Sequence, residues 1–176
     1  MSGAPTPVPA AADRDLASIA EARALARRAR EAWFQLAECS QEKIDAIVDA
    51  CAAAATAHAE AFARQAVDET GYGVVDDKIQ KNLFASQKVH QFIRPMKTVG
   101  VIARDPDRGV IEIAEPFGVV AAIVPSTNPT STAIYKVLIA LKARCTIVLS
   151  PHPSAVACIT RVAEVLDDAA RRAGAP

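Results

Sequence analysis

The sequence predicts an α/β fold in which helices and an antiparallel β-hairpin precede the first β-α-β-α unit of an open parallel sheet. Two observations lead to this prediction. Apolar residues recur at helical spacing up to about Arg94, and from Pro95 onwards they alternate with polar residues. Beyond Glu115, two short and continuously apolar runs alternate with two helix-like segments. That order is typical of parallel strands joined by right-handed crossovers.

Composition and charge exclude several classes of protein. Of the 176 residues, 51% are hydrophobic and 23% are charged, which argues against wholesale disorder, a collagen-like repeat or a disulfide-dense mini-protein. Twenty basic residues balance twenty acidic ones, so no net positive field favours nucleic acid or an anionic membrane surface. No apolar run approaches the roughly 20 residues that span a bilayer. We therefore expect neither a nucleic-acid partner nor a membrane partner.

The cysteines do not indicate a metal site or a disulfide framework. Cys39, Cys51, Cys145 and Cys158 form no C-x-x-C pair, and predicted helices and strands separate them. The start, MSGAPTPVPAAAD, has no basic segment followed by an apolar one and so does not resemble a secretory signal. We expect a cytoplasmic protein with reduced thiols and no bound metal.

The N-terminal half divides into a tail and a helical region. Residues 1–12 are rich in Pro and Ala and lack large apolar side chains, so we expect a flexible tail. Residues 13–94 are predicted to be helical. A first helix begins near Asp13, and a second helical region is capped by Ser40 and ended by the segment 71–73. The apolar stripe of the first helix consists of Leu16, Ile19, Leu25, Ala29, Ala32, Trp33 and Leu36.

A third helix is predicted from about Val75 to Arg94. Asp76 and Asp77 fall in its first turn, where the helix dipole favours negative charge. The apolar side chains expected to point inward are Ile79, Leu83 and Phe84.

Residues 95–115 predict a β-hairpin. Two segments rich in β-branched residues, Thr98–Arg104 and Val110–Glu115, flank Asp105–Gly109, which has the composition of a hairpin loop. The alternation of apolar and polar residues indicates antiparallel pairing.

Residues 116–176 predict the β-α-β-α unit. Its strands are Val119–Val124 and Thr146–Ser150, whose continuous apolar character suits strands buried on both faces. Its helices run from Pro129 to Lys142 and from about Ser154 to Arg172. Since ligands bind beyond the carboxyl ends of parallel strands, the two loops that follow these strands are the candidate sites.

The first candidate loop runs from Pro125 to Thr132 and combines hydroxyls, one amide and a helix N-terminus with unpaired N–H groups. Asn128 either caps the helix, with Pro129 at the first helical position, or points at a polar ligand. The two roles are compatible, because an amide at a helix start can also face a ligand.

The second candidate loop is Ser150–Ser154. His152 either contacts a cofactor phosphate or ribose, or stiffens the turn between two prolines. The chain has neither G-x-G-x-x-G nor G-x-x-x-x-G-K-[ST], and no Ser-His-Asp or H-E-x-x-H arrangement is visible. The residues alone therefore indicate only a nucleotide-type half-domain with a polar loop.

A longer stretch resembles a known family. The run from Glu115 to Ala155, EPFGVVAAIVPSTNPTSTAIYKVLIALKARCTIVLSPHPSA, resembles the CoA-acylating branch of the aldehyde dehydrogenase superfamily. The segments DETGYGVVDDKIQKNLFAS and KTVGVIARDPDRGVIEIAEP also resemble it, so the similarity extends from about Asp13 to the last residue. It implies that residues 116–176 form the first, incomplete part of a Rossmann-like dinucleotide-binding domain. It also implies that the hairpin joins subunits of a homo-oligomer.

The resemblance implies a site as well as a fold. It implies a small aldehyde as substrate, NAD or NADP as cofactor and coenzyme A as co-substrate. Asn128 matches the asparagine whose amide supports the oxyanion of a thiohemiacetal intermediate. Ser150 and His152 stand where ordinary aldehyde dehydrogenases use a lysine to hold the adenosine ribose. The residues implied to line the dinucleotide pocket are Val124, Pro125, Ser126 and Thr127.

The sequence departs from the family by ending before the segment that carries the nucleophilic cysteine. None of its four cysteines lies in a comparable motif. We therefore expect the N-terminal, cofactor-side portion of an acylating aldehyde dehydrogenase, inactive as a 176-residue chain. A non-catalytic interaction module derived from the same fold is the alternative, and a regulatory nucleotide-binding domain is a third possibility.

Overall fold

The computed structural model describes residues 11–176, with side chains described from Arg14 onwards. A tail was expected over residues 1–12, of which residues 1–10 lie outside the described residues. The first helix begins at Ala11. The helices are α1 (Ala11–Leu36), α2 (Gln41–Ala57), α3 (Ala59–Thr70), α4 (Val75–Leu83), α5 (His90–Ile93), α6 (Pro129–Lys142) and α7 (Val156–Arg172). The strands are β1 (Gly100–Asp105), β2 (Val110–Ala114), β3 (Val119–Val124) and β4 (Thr146–Pro151).

Helix α1 is present as predicted, but most of its apolar stripe is not buried. Leu36 is buried at its C-terminal end, whereas Leu16 is 64% exposed and Ile19 is 46% exposed. The strands β3 and β4 are the main elements that α1 contacts, and they reach only its C-terminal part. Helical periodicity therefore predicted the helix correctly, while burial of its N-terminal half requires a surface that the described residues do not provide.

The second predicted helical region consists of two helices that meet at His58. Ser40 caps α2 as predicted, since its hydroxyl accepts a hydrogen bond from the Lys43 amide at 3.3 Å. Gly71 ends α3 in the left-handed conformation with φ of 69°, which glycine adopts without a Cβ clash. At the junction, His58 Nδ1 lies 2.9 Å from the Ala54 carbonyl oxygen.

The helix predicted from Val75 to Arg94 is α4, a π-helical turn over Phe84–Val89 and α5. Its predicted inward face is wrong at Phe84, which is 63% exposed, and only partly correct at Ile79 and Leu83, which are half-buried. Three of the five buried residues on this stretch are instead polar, namely Lys78, Asn82 and Ser86, and the other two are Ala85 and Ile93. Burial of these polar groups is tolerated because each of them has a hydrogen-bond partner.

The predicted hairpin is confirmed. Strands β1 and β2 pair antiparallel from Gly100 opposite Ala114 to Asp105 opposite Val110, with an irregularity between Val101 and Ala103. Nearly all of its side chains are exposed, including the apolar side chains of Ile102, Val110, Ile111 and Ile113.

The β-α-β-α unit is also confirmed. Strands β3 and β4 are parallel neighbours, in register from Val119 opposite Thr146 to Val124 opposite Pro151. The prediction that β3 is buried on both faces is wrong, because Ala122 and Val124 are buried on one face while Ile123 is 78% exposed on the other. Helix α6 packs against β3, and within residues 11–176 nothing covers Ile123 on the opposite face.

The hydrophobic core lies between α2, α3, α6 and α7 and fixes the orientation of the two parallel strands. Its largest fully buried side chains include Ile44, Ile47, Phe62, Ile134, Leu138, Ile159 and Leu166. Across the described part of the chain, no helix has the length and apolar character needed to cross a bilayer. This core supports the edge of the sheet where both candidate loops begin.

Candidate cofactor-binding site

The carboxyl ends of β3 and β4 bring the two predicted loops together. Ile123 is the register partner of Ser150, and the His152 amide donates a hydrogen bond to the Val124 carbonyl at 3.0 Å. The Val124 side chain is 0% exposed, so it supports the loop from inside the core and any contribution to a pocket would come from its backbone. Around the strand ends, the residues that solvent reaches are Pro125, Ser126, Thr127, Ser150 and His152.

Asn128 stands at the N-cap position of α6, and Pro129 occupies the first turn as predicted. The Asn128 carbonyl accepts from the Thr132 amide at 3.2 Å, but its side chain makes no capping hydrogen bond. The side-chain Oδ1 accepts instead from the Lys81 ammonium at 3.1 Å. The interpretation of Asn128 as a side-chain cap is therefore wrong, and its half-buried amide is held by a residue of another helix.

Helix α4 supports this loop with polar side chains that the sequence analysis missed. The Lys78 ammonium donates to the Thr127 carbonyl at 3.0 Å. Asn82 accepts from the Thr130 hydroxyl at 2.8 Å and donates to the Ala59 carbonyl at 2.9 Å. The available signal was the spacing of Lys78 and Asn82, four residues apart, which places both on one helix face.

Charge at the loop favours a polar, anionic ligand. Lys78 is only 4% exposed. Its burial, together with the nearby Lys81, lowers its pKa. Lys81 is exposed and binds Asn128, and Ser126 and Thr127, which carry the hydroxyls of the loop, directly precede Asn128 in the sequence. Ammonium groups, hydroxyls and the first N–H groups of α6 are the donors that a dinucleotide with phosphates and ribose hydroxyls requires. The residues present therefore fit such a cofactor.

His152 performs the structural role considered for it. Its Nδ1 accepts from the Ser154 amide at 3.2 Å and lies 2.7 Å from the Ser154 hydroxyl oxygen, at the start of the 3-10 turn Pro153–Ala155. Because Nδ1 accepts from an amide, the proton of the neutral ring is assigned to Nε2. The exposed ring thus retains one N–H donor for a ligand.

The N-terminus of α7 is occupied by a carboxylate of the protein itself. Glu69 accepts hydrogen bonds from the amides of Ala157 at 2.8 Å and Cys158 at 2.7 Å. Burial opposes ionisation of Glu69, but these amide donors outweigh it and lower the pKa of the carboxyl. An anionic ligand group is consequently excluded from this helix end, which leaves the N-terminus of α6 as the free one near the strand ends.

The four cysteines are free thiols, and burial keeps Cys51 and Cys158 in the protonated form. Burial raises the pKa of Cys51 to about 12 and, together with Glu69, raises the pKa of Cys158 to about 12. Cys145 is buried in the turn before β4, and Cys39 is half-buried at the end of α1. Within residues 11–176, no cluster of three or more His, Cys, Asp or Glu side chains could hold a metal ion.

Comparison with known proteins identifies what these features belong to. The chain is 45% identical over 159 residues to the bifunctional aldehyde-alcohol dehydrogenase AdhE of Escherichia coli K12. This match covers 90% of the chain and 18% of AdhE. It is 52% identical to the crystal structure of an acetylating aldehyde dehydrogenase from Geobacillus thermoglucosidasius, with a TM-score of 0.90, over 92% of this chain and 36% of that one.

A third similar protein is a propionaldehyde dehydrogenase from Rhodopseudomonas palustris, solved with bound CoA and an acylated cysteine. It is 30% identical with a TM-score of 0.75, and the match covers 88% of this chain and 35% of that one. The chain thus spans about a fifth of the length of AdhE and about a third of the two solved structures, and its fold is that of their N-terminal part. The model of the Aldehyde dehydrogenase family matches residues 5–176, so this chain belongs to the aldehyde dehydrogenase family.

Proposed function

We propose that the chain supplies the N-terminal, cofactor-side part of an NAD(P)-dependent, CoA-acylating aldehyde dehydrogenase. The reaction converts an aldehyde, CoA and NAD(P)⁺ into an acyl-CoA, NAD(P)H and a proton. The observation that carries the proposal is the meeting of two polar loops at the carboxyl ends of β3 and β4, in a chain whose relatives are acylating enzymes.

The exposed residues of the two loops hold the cofactor in this proposal. When bound, the nicotinamide dinucleotide supplies the hydride acceptor of the reaction. The hydroxyls of Ser126 and Thr127 hydrogen-bond its polar groups from one loop, with Pro125 in van der Waals contact. Ser150 and the Nε2–H of His152 do so from the other loop. This distribution is supported by the position of all five residues at the same sheet edge, where Ser126 is half-buried and the other four are exposed.

Asn128 acts on the substrate rather than on the cofactor. A cysteine thiolate attacks the aldehyde carbonyl, which forms a carbon–sulfur bond and leaves negative charge on the carbonyl oxygen. The Nδ2–H of Asn128 donates a hydrogen bond to that oxygen and stabilises the charge. After hydride transfer, the CoA thiol displaces the enzyme cysteine from the thioester and releases acyl-CoA.

The nucleophile is not one of the four cysteines of this chain. A thiol whose pKa is raised to about 12, as for Cys51 and Cys158, is almost entirely protonated at neutral pH. We therefore propose that these 176 residues alone do not oxidise aldehydes. We also propose a cytoplasmic location, in which all four thiols stay reduced.

A second candidate function rests on the hairpin. Its exposed apolar side chains, among them Ile111 at 52% and Ile113 at 58% exposure, suit association with a second copy of the chain or with another family member. In the enzyme, this surface forms the contact of a homo-oligomer. In the alternative, a non-catalytic interaction module, it is the whole function.

The experiment is an assay of the full-length gene product for CoA-dependent reduction of NAD⁺ and NADP⁺ with acetaldehyde and larger aldehydes. Asn128→Ala is expected to lower kcat by about 10² to 10³ fold, because one oxyanion donor is lost. Gln91→Ala, which removes an exposed amide of α5, is the control and should leave kcat unchanged. Acid rather than acyl-CoA as product would contradict the acylating reaction, and an inactive protein that associates through the hairpin would favour the interaction module.

A further inference from the structure

Three polar side chains of α4 converge on the loop that carries Asn128. Lys81 and Asn82 follow Lys78 by three and four residues, so each of them lies on the same side of the helix as Lys78. They contact three groups of the loop: Lys78 contacts the Thr127 carbonyl, Lys81 the Asn128 side chain and Asn82 the Thr130 hydroxyl. One helix face therefore controls both the path of this loop and its single amide side chain.

The Lys81 contact determines which way the Asn128 amide faces. An ammonium group has three donors and no acceptor, so only the amide oxygen can lie 3.1 Å from it. The two halves of the amide are opposite each other on a planar group. Oδ1 is fixed towards Lys81, and Nδ2 consequently points away from it.

Without Lys81, nothing else in the described residues would select this orientation. The Asn128 side chain makes no capping hydrogen bond, and Lys81 is its hydrogen-bond partner in the described part of the chain. The terminal torsion of an asparagine is broad and close to two-fold, so both orientations are sterically accessible. In the reversed orientation the amide would present an oxygen acceptor, which repels an oxyanion.

Residues on both sides of Asn128 are held by the same helix. Lys78 holds the Thr127 carbonyl before it, and Asn82, which is buried and also donates to the Ala59 carbonyl, holds the Thr130 hydroxyl after it. Rotation of the amide is therefore the main freedom that remains at this position. Lys81 removes it.

We propose that Lys81 is a positioning residue that orients the Asn128 amide so that its N–H group faces the reacting carbonyl oxygen. The inference rests on the proposed role of Asn128 in the acylating reaction. Lys81 does not touch substrate in this account; it acts only through Asn128. Its effect must therefore vanish when the Asn128 amide is absent.

The test is a double-mutant cycle in the full-length enzyme. Lys81→Met keeps the length of the side chain and removes the donor, and it is expected to lower kcat about tenfold or more with little change in KM for the aldehyde. Lys81→Arg retains a donor and should recover most of the loss. In the Asn128→Ala background, Lys81→Met should cause no further fall in kcat. Lys88→Met, an exposed lysine on the following π-helical turn, is the matched control and should behave as wild type.

The outcomes that overturn the inference are specific. An unchanged kcat in Lys81→Met, or a full additional loss in the double variant, would show that Lys81 does not act through Asn128. Crystal structures of the same variants give a readout that does not depend on activity. At atomic resolution, where oxygen and nitrogen can be distinguished, Asn128 Oδ1 should still face residue 81 in Lys81→Arg, whereas the amide should be reversed or mixed in Lys81→Met. If the wild-type protein lacks CoA-dependent activity, the proposed function fails. An Asn128 amide that keeps its single orientation in Lys81→Met overturns the positioning role by itself.

Discussion

The buried hydrogen bond between Asn82 and Thr130 links α4 to the start of α6, and its removal should destabilise the chain by a predictable amount. Asn82 is 0% exposed and Thr130 is 2% exposed, so water cannot replace a lost partner at either side chain. Thr130→Val keeps the shape of the side chain and deletes the hydroxyl. It leaves Asn82 Oδ1 without its 2.8 Å donor, since the other hydrogen bond of Asn82 uses Nδ2.

An unsatisfied buried acceptor costs about 1–3 kcal/mol, so we expect Thr130→Val to lower the free energy of unfolding by that amount. Urea denaturation followed by circular dichroism measures it at a fixed chain concentration. Thr160→Val is the matched control, because it makes the same change at an exposed position of α7 and should stay within about 0.5 kcal/mol of wild type. Equal losses in the two variants would refute the claim that this hydrogen bond holds the loop.

Three further predictions concern other parts of the molecule. Glu69→Gln should make the free energy of unfolding less dependent on pH. The folded-state pKa of Glu69 is lowered, so its stabilisation is present above the ordinary carboxyl pKa and is lost as pH falls through the folded-state value. Identical pH slopes for the variant and the wild type in urea titrations would contradict this. Val101 and Ile113 are register partners in the hairpin, and the double variant Val101→Lys, Ile113→Lys should dissociate the full-length oligomer in sedimentation. An intact oligomer would exclude the hairpin as the contact. The 176-residue chain should self-associate and show no CoA-dependent reduction of NAD(P)⁺, whereas a monomer that turns over would contradict both expectations.

Local signals in the sequence were sufficient for the elements whose limits are set by local chemistry. Helix α6 begins at Pro129 and ends at Lys142 as predicted, because a proline suits the first helical turn and the apolar spacing stops where the next strand begins. The two loops could be expected to meet because parallel strands end at the same edge of a sheet.

Features that depend on distant contacts could not be predicted in this way. Phe84 was expected inward because apolar periodicity assigns hydrophobic residues to the core, but α4 packs through polar groups whose partners lie up to 49 residues away. Ile123 was expected to be buried because a continuous apolar run suits a covered strand, and the run does not reveal which elements cover it. The partner of Asn128, Lys81, lies 47 residues earlier, and nothing in the segment that contains it indicates the pairing.

The central claim is that the two loops at the strand ends hold the nicotinamide dinucleotide, and hydrogen exchange of the full-length enzyme with and without saturating NAD⁺ or NADP⁺ tests it most directly. The hairpin, residues 100–114, provides an internal control because it contributes no residue to either loop. We expect the cofactor to slow exchange in peptides that cover residues 125–128 and 150–154 and to leave the hairpin unchanged. Unchanged exchange in both loops of an enzyme that reduces its cofactor would contradict the assignment of the site.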